Sequence, residues 1–229
     1  MAAINEKKEV LTLSESLAFF IQKNRKAIFV FAGAVIIITI GFIAALGIQD
    51  YIRTRAVSGV EALNDRYEAL RFSINESEKE AEVTALLEEL SAFAAKTASF
   101  PGARAYAMIA SIHGDKKNWA EAESNWILAA GKGKKTYLAP VAFFNAAAAA
   151  EEQGNIEGAV THYNESLNYA ADFPQAPRAQ FAIGRLREEQ QNRDAALEAY
   201  RVVAEKWPAE TVWTNLANSR IISLTGGNP

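Results

Sequence analysis

Three nonamers decide how this chain folds: Asn118–Trp126 reads NWAEAESNW, Asn155–Tyr163 reads NIEGAVTHY, and Asn192–Tyr200 reads NRDAALEAY. Each opens on Asn, carries Ala at its fifth place (Ala122, Ala159, Ala196) and closes on an aromatic ring, at an interval of 37 residues. Self-similarity at a fixed period of about 20–50 residues marks a stacked array of supersecondary units. The register extends beyond the nonamers. Pro140 aligns with Pro177, Ala105 with Ala142 and Ala179, and Ala110 with Ala147 and Gly184. Ile109 matches Ala146 and Ile183, and Phe144 matches Phe181. The three asparagines fall where a turn is expected, with good helix formers after them, so each unit reads helix, turn, helix.

The residue types fit the packing of such a unit. Antiparallel helices joined by a short turn approach closely only where side chains are small, as at Ala110/Ala147/Gly184 and Ala122/Ala159/Ala196. Trp126, Tyr163 and Tyr200 lie four residues after those second-helix alanines, on the same face, and can fill the gap to the next unit. Breaks are expected at Phe100-Pro101, Phe173-Pro174 and Trp207-Pro208, because proline ends a helix and the preceding ring can cover the junction. Small–large–small packing with a second-helix Ala, an aromatic four later and a closing Pro resembles the tetratricopeptide repeat. Residues 101–208 are then three such repeats, longer than the family's usual unit. Only Gly184 keeps the family's first-helix glycine.

Degenerate units flank these repeats. Val60, Leu63, Tyr67 and Leu70 make one helical face, and Val83, Leu86, Leu87, Leu90 and Phe93 another, so residues 49–100 read as a stalk and a first hairpin. Residues 209–229 hold a capping helix, Thr211 to Leu224, with Trp213, Leu216, Ala217 and Ile221 expected inward, and a short tail.

Ahead of the array, Ala27–Ile48 (AIFVFAGAVIIITIGFIAALGI) has 22 residues and no charge. A helix of that length spans roughly 30 Å, the hydrocarbon thickness of a bilayer. Three readings compete: a buried core helix, a cleaved signal peptide and a permanent anchor. The length exceeds a signal's apolar region of about 7–15 residues, which favours the anchor. Lys7, Lys8, Lys23, Arg25 and Lys26 precede the span, and Arg53, Arg55 and Arg66 follow it. That imbalance places residues 1–26 in the cytoplasm and the repeats outside it. Leu17, Phe20 and Ile21 behind Ser14 read either as a short helix along the membrane surface or as an early start of the span.

The order of parts adds a second resemblance. A charged tail leads into Phe19, Phe20, Asn24, Lys26 and Ala27. One span, a Tyr-containing exit helix and a helical repeat domain follow. This layout is similar to that of the YfgM-like single-pass membrane proteins, an ancillary family of the bacterial Sec translocon, most specifically between Ser16 and Ala69. The resemblance implies an all-α protein with a single N-terminal transmembrane helix and a periplasmic tetratricopeptide-like helical-hairpin solenoid. It also implies partners among translocon components, periplasmic chaperones or exported chains.

Little in the sequence points to chemistry. The chain has no cysteine, and beyond the span it carries 24 acidic against 19 basic side chains (27 less three, 24 less five), a poor balance for gripping phosphates. Nucleic acid is therefore not an expected partner. His113 and His162 fall in different units, with His162 expected in solvent. The stretch GKGKK (Gly131–Lys135) lacks the strand and hydroxyl of a phosphate loop and reads as an extended, solvated loop. The acidic run from Glu76 to Glu82 reads as a solvated helix start. No enzyme, cofactor, metal or small-molecule substrate is expected.

What remains is a surface. First helices of stacked hairpins line a groove, and its expected residues are Arg104 and Ser111, Phe144 and Glu151, then Arg178, Phe181, Arg185 and Glu188. Phe144 and Phe181 beside Arg178 and Arg185 suit a peptide with aliphatic and acidic side chains. The competing reading has both rings packing on the adjacent unit. Two functions follow: a membrane-anchored interaction module for translocation or chaperone hand-over, or a scaffold subunit of a motor, secretion or division complex.

Overall fold

The computed structural model describes residues 13–72 and 76–226. Lys7, Lys8, the side chains of residues 76–78 and the last three residues, all weighed above, lie outside that description. Among the described residues all regular structure is helical, in nine helices. They are α1 (Leu13–Arg71), α2 (Glu76–Lys96), α3 (Ser99–Asp115), α4 (Trp119–Lys132), α5 (Leu138–Glu152), α6 (Ile156–Leu167), α7 (Ala176–Glu189), α8 (Arg193–Lys206) and α9 (Thr211–Thr225). The chain divides into two units, Met1–Arg55 and Ala56–Pro229.

The first unit is the leading part of α1. Its apolar window has a mean hydropathy of 2.8 and is wholly unburied, so by length and composition it is fit to cross a membrane. Thr39 removes its one polar group from contention by donating to the Val35 carbonyl at 2.8 Å. The helix already runs from Leu13, so Leu17, Phe20 and Ile21 belong to its start.

The second unit is a stack of helical hairpins: the end of α1 with α2, then α3/α4, α5/α6 and α7/α8, with α9 last. Val60, Tyr67 and Leu70 meet Val83, Leu86, Leu90 and Ala94 in a core that continues into Met108, Ile109 and Ile112 of α3. First helices also touch each other, α3 against α5 and α7 against α9.

The α3/α4, α5/α6 and α7/α8 hairpins are closed by the same turn. The N–H of Asn118, Asn155 and Asn192 donates back to the carbonyl of His113, Ala150 and Arg187 at 2.8, 2.9 and 2.9 Å. These are the six-to-one bonds of a Schellman motif. The residue before each Asn is left-handed, at φ 60° for Lys117 and Gln191 and 72° for Gly154. The Asn then caps the second helix: its carbonyl accepts from Ala122, Ala159 or Ala196. The Asn155 and Asn192 side chains also accept from the N–H of Gly158 and Ala195 at 3.0 and 3.2 Å.

Those capped alanines are the packing alanines: Ala122 is 1 % exposed, and Ala159 and Ala196 are fully buried, as are Ala110 and Ala147. Tyr163 and Tyr200 are buried with them, and Trp126 partly. At Gly184 the need for a small residue is strictest, because a Cβ there would lie 2.6 Å from the Tyr200 ring.

Three local expectations are corrected. Phe100-Pro101 ends nothing: α2 stops at Lys96, and Pro101 sits in the first turn of α3, where a backbone N–H has no intrahelical partner to lose. GKGKK is only partly a loop, since Gly131 and Lys132 finish α4. The Lys132 amine donates to the carbonyls of Ala94 and Thr97 at 2.6 and 2.8 Å, neutralising the negative end of α2. Leu216 is 44 % exposed, because α9 meets α8 through Ala217 and Ile221.

Two substitutions test this frame in opposite directions. Gly184→Ala gains up to ~1 kcal/mol in helix propensity but drives a methyl group into a buried ring, an overpacking cost of ~1–3 kcal/mol. We expect net loss of stability. Gln191→Gly relieves a left-handed residue worth ~1–2 kcal/mol against ~0.5–1 kcal/mol of chain entropy, and should stabilise slightly. Thermal unfolding of the full chain in detergent checks both; a stabilised Gly184→Ala variant refutes the packing assignment.

Candidate functional site

The face formed by α5, α7 and α9 carries two adjoining clefts of about 310 and 410 Å3 that share Phe181 and Arg185. Glu151, Arg178, Tyr163 and Trp213 line the first; Glu188, Tyr200 and Arg220 line the second. Five of the eight sequence-expected residues therefore come together here: Glu151, Arg178, Phe181, Arg185 and Glu188. Arg104 and Ser111 do not join them. They line a separate cleft of about 370 Å3 beside the last turns of α1. There Arg104 is ion-paired with Glu61, and the Ser111 hydroxyl donates to Ala107 of its own helix at 3.0 Å.

Phe144 is a core residue, contrary to its expected place on the groove. It is 6 % exposed and wedged edge-on against Tyr163 and Phe173, at centroid distances of 5.2 and 6.1 Å. Phe181 occupies the same place in the next unit but stays half-buried, stacked on Tyr200 and Trp213 at 5.2 and 5.7 Å. The difference lies one register step beyond Phe173, where the chain has Glu210, an exposed residue that covers nothing. Arg178 keeps a link to the buried ring, its guanidinium 5.1 Å above Phe144.

The two groove carboxylates are tied down. Glu151 accepts from the Tyr163 hydroxyl at 2.6 Å and pairs with Arg185. Glu188 accepts from the Tyr200 hydroxyl at 3.0 Å and pairs with Arg220. Each strap joins the end of a first helix to its own second helix and to the first helix of the following unit. The carboxylates thus act as structural staples, and Arg178 and Glu152 line the first cleft beside them, while Glu189 pairs with Arg185 at 3.9 Å. Neither tyrosine hydroxyl nor Arg220 was expected at this site. Glu151/Glu188 and Tyr163/Tyr200 do repeat in the 37-residue register, but Arg185 and Arg220 are 35 apart and escape it.

Burial, then the bond to the carboxylate, raises both hydroxyls, with Tyr200 pushed up to about 12. Burial works against the Glu188 charge, yet the hydrogen bonds from Arg220 and Tyr200 outweigh it and hold the carboxyl below its usual value. On the opposite face, Arg187 and Gln190 likewise lower Glu157. His162 is not solvated as expected: it is half-buried, with Nε2 2.9 Å from a Glu123 carboxylate oxygen.

A stack of capped hairpins with an aromatic–arginine cleft along its first helices defines a tetratricopeptide-like array, an architecture that is typically non-enzymatic. Residues 178–209, which span α7, its turn and α8, match the tetratricopeptide repeat family. The chain is also similar to a "TPR repeat-containing protein" of Treponema pallidum (strain Nichols), 37 % identical over 128 residues. That match covers 56 % of this chain and 53 % of the Treponema protein, so the chain spans about half the length of that relative.

The straps predict the pH response. Tyr200 is raised in the folded state, so its contribution is complete below pH 10.0 and is lost as pH climbs through about 12. Glu188 is depressed, so its contribution holds above 4.5 and disappears as pH falls through the lowered value. Tyr200→Phe should cost ~1–2 kcal/mol at neutral pH and flatten part of the alkaline decline. Absorbance at 295 nm together with thermal unfolding checks this. An unchanged alkaline profile in the variant discounts the strap.

Proposed function

We propose that this chain is a membrane-tethered protein-binding module that works outside the cytoplasm, as an ancillary factor for protein translocation or periplasmic chaperone hand-over. The observation that carries the reading is the pair of clefts sharing Phe181 and Arg185, set on the hairpin that matches the tetratricopeptide repeat and in a chain with a span-length uncharged helix. A half-buried aromatic pair, Phe181 and Trp213, offers an apolar anchor for a ligand side chain. The charge imbalance about the span supports the outward placement of the array. Tethering confines the groove to the membrane plane and raises its effective concentration towards other membrane proteins.

Because Phe181 and Arg185 also hold units together, truncating them confounds binding with folding. Photo-reactive residues placed at Ala148 and Glu189, which line the clefts, avoid that confusion; Glu198 on the exposed side of α8 serves as control. In native membranes we expect adducts with translocon components, chaperones or exported chains from the two groove positions and none from Glu198. Adducts from the control alone refute the groove. One companion at constant stoichiometry from every position supports the scaffold function instead.

A further inference from the structure

The connections from one hairpin to the next, α2–α3, α4–α5, α6–α7 and α8–α9, all lie at one end, because consecutive helices run antiparallel. Ala56, the first residue of this unit, lies at that same end: Gly59 abuts the Phe93 ring, three residues before Lys96. The next connection is drawn to the same spot. Lys132 bonds the Ala94 and Thr97 carbonyls, and Tyr137 stacks on Phe100 at 5.5 Å. Lys96, Lys134 and Lys135 are thereby gathered around the start of the unit, all exposed, beside a Tyr137 that is 68 % exposed. Among the described residues these three lysines form no ion pair, whereas the arginines that join neighbouring helices, Arg66, Arg104, Arg185, Arg187 and Arg220, are each matched to a carboxylate. The α6–α7 connection carries Asp172 instead, and at the α8–α9 connection Lys206 is balanced by Glu210.

We infer that Lys96, Lys134 and Lys135, with Tyr137, form a docking surface for anionic lipid headgroups. The inference rests on the membrane-tethered reading. Ala56 follows Ile48 by eight residues, which at full extension is under about 30 Å of chain. Chain connectivity alone therefore keeps this end of the unit within reach of headgroups. Unmatched ammonium groups are what an anionic surface attracts, each shifting the docked population about five-fold near it. An exposed Tyr suits the headgroup layer, where its ring is half in apolar surroundings and its hydroxyl remains wet.

The chain has no cysteine, so a Gly131→Cys variant of the full chain gives one site for a nitroxide label, at a position with nothing within 4 Å of the added Cβ. The labelled chain is placed in nanodiscs of phosphatidylcholine, alone or mixed with phosphatidylglycerol, each doped with a nickel-chelating headgroup lipid. Collision of the label with the nickel headgroup should rise several-fold in the anionic discs at low salt. It should return to the neutral-lipid level in high salt or in the Lys96→Gln/Lys134→Gln/Lys135→Gln variant, with helical content unchanged. Equal collision in both lipids, or an anionic effect that survives the triple variant, overturns the docking surface while leaving the anchor standing. A chain that does not co-purify with discs overturns the anchor, and this inference with it.

Discussion

The fold depends on a turn of about six residues, written three times. A Schellman bond stops the first helix, a left-handed residue reverses the chain, and the following Asn opens the second helix directly onto the alanine that packs against the first. Because one residue both ends one helix and caps the next, the angle and separation of the pair are set locally. The alanine contact and the aromatic ring four residues later then have no slack. This is why Gly184 is tolerated mid-helix despite its entropic cost: Tyr200 already occupies the space a methyl group would need.

Local geometry produces a hairpin, but a hairpin alone cannot bury its second face. Stacking is what completes the core, and the Tyr–Glu–Arg straps show how neighbouring units are held in register. A tyrosine buried for its ring needs a partner for its hydroxyl. A carboxylate at the end of the first helix supplies it, and an arginine from the following unit neutralises the carboxylate. The same side chains therefore serve packing within a unit and fastening between units. The residues forming the floor of the clefts are therefore tied to the packing of the array.

The array was legible in the sequence because turns and close contacts demand particular residue types at particular spacings. Asn155, Ala159 and Tyr163 have few substitutes in their roles. The groove was legible only in part. Five of its residues were foreseen from helical spacing, but spacing reports which way a residue points from its helix, not what comes to cover it. Phe144 and Phe181 share a register position, and their different fates are decided by Phe173 and Glu210, which sit in connections where periodicity carries no information. Arg185 and Arg220 were not seen as equivalents because α9 joins the stack two residues out of step. Lys132 was missed for a related reason: its partners are backbone carbonyls of α2, invisible to any comparison of side chains.

The straps and the exposed lysines show two uses of charge in one small array. Between units, opposite charges meet in partly desolvated places and gain from hydrogen bonding to buried hydroxyls, so they hold geometry. At the connections nearest Ala56, charge of one sign is left unmatched and wet, where it contributes little to folding and remains available to an external surface. A tether confines a binding domain without orienting it, and a groove serves a membrane partner only when it faces the right way. Contact at a second point restricts rotation about the chain, which lowers the entropy lost when a partner is taken up. Under the proposed tethering and docking, the array's hairpin angles make that restriction useful, because orienting one end of the stack orients its inner face.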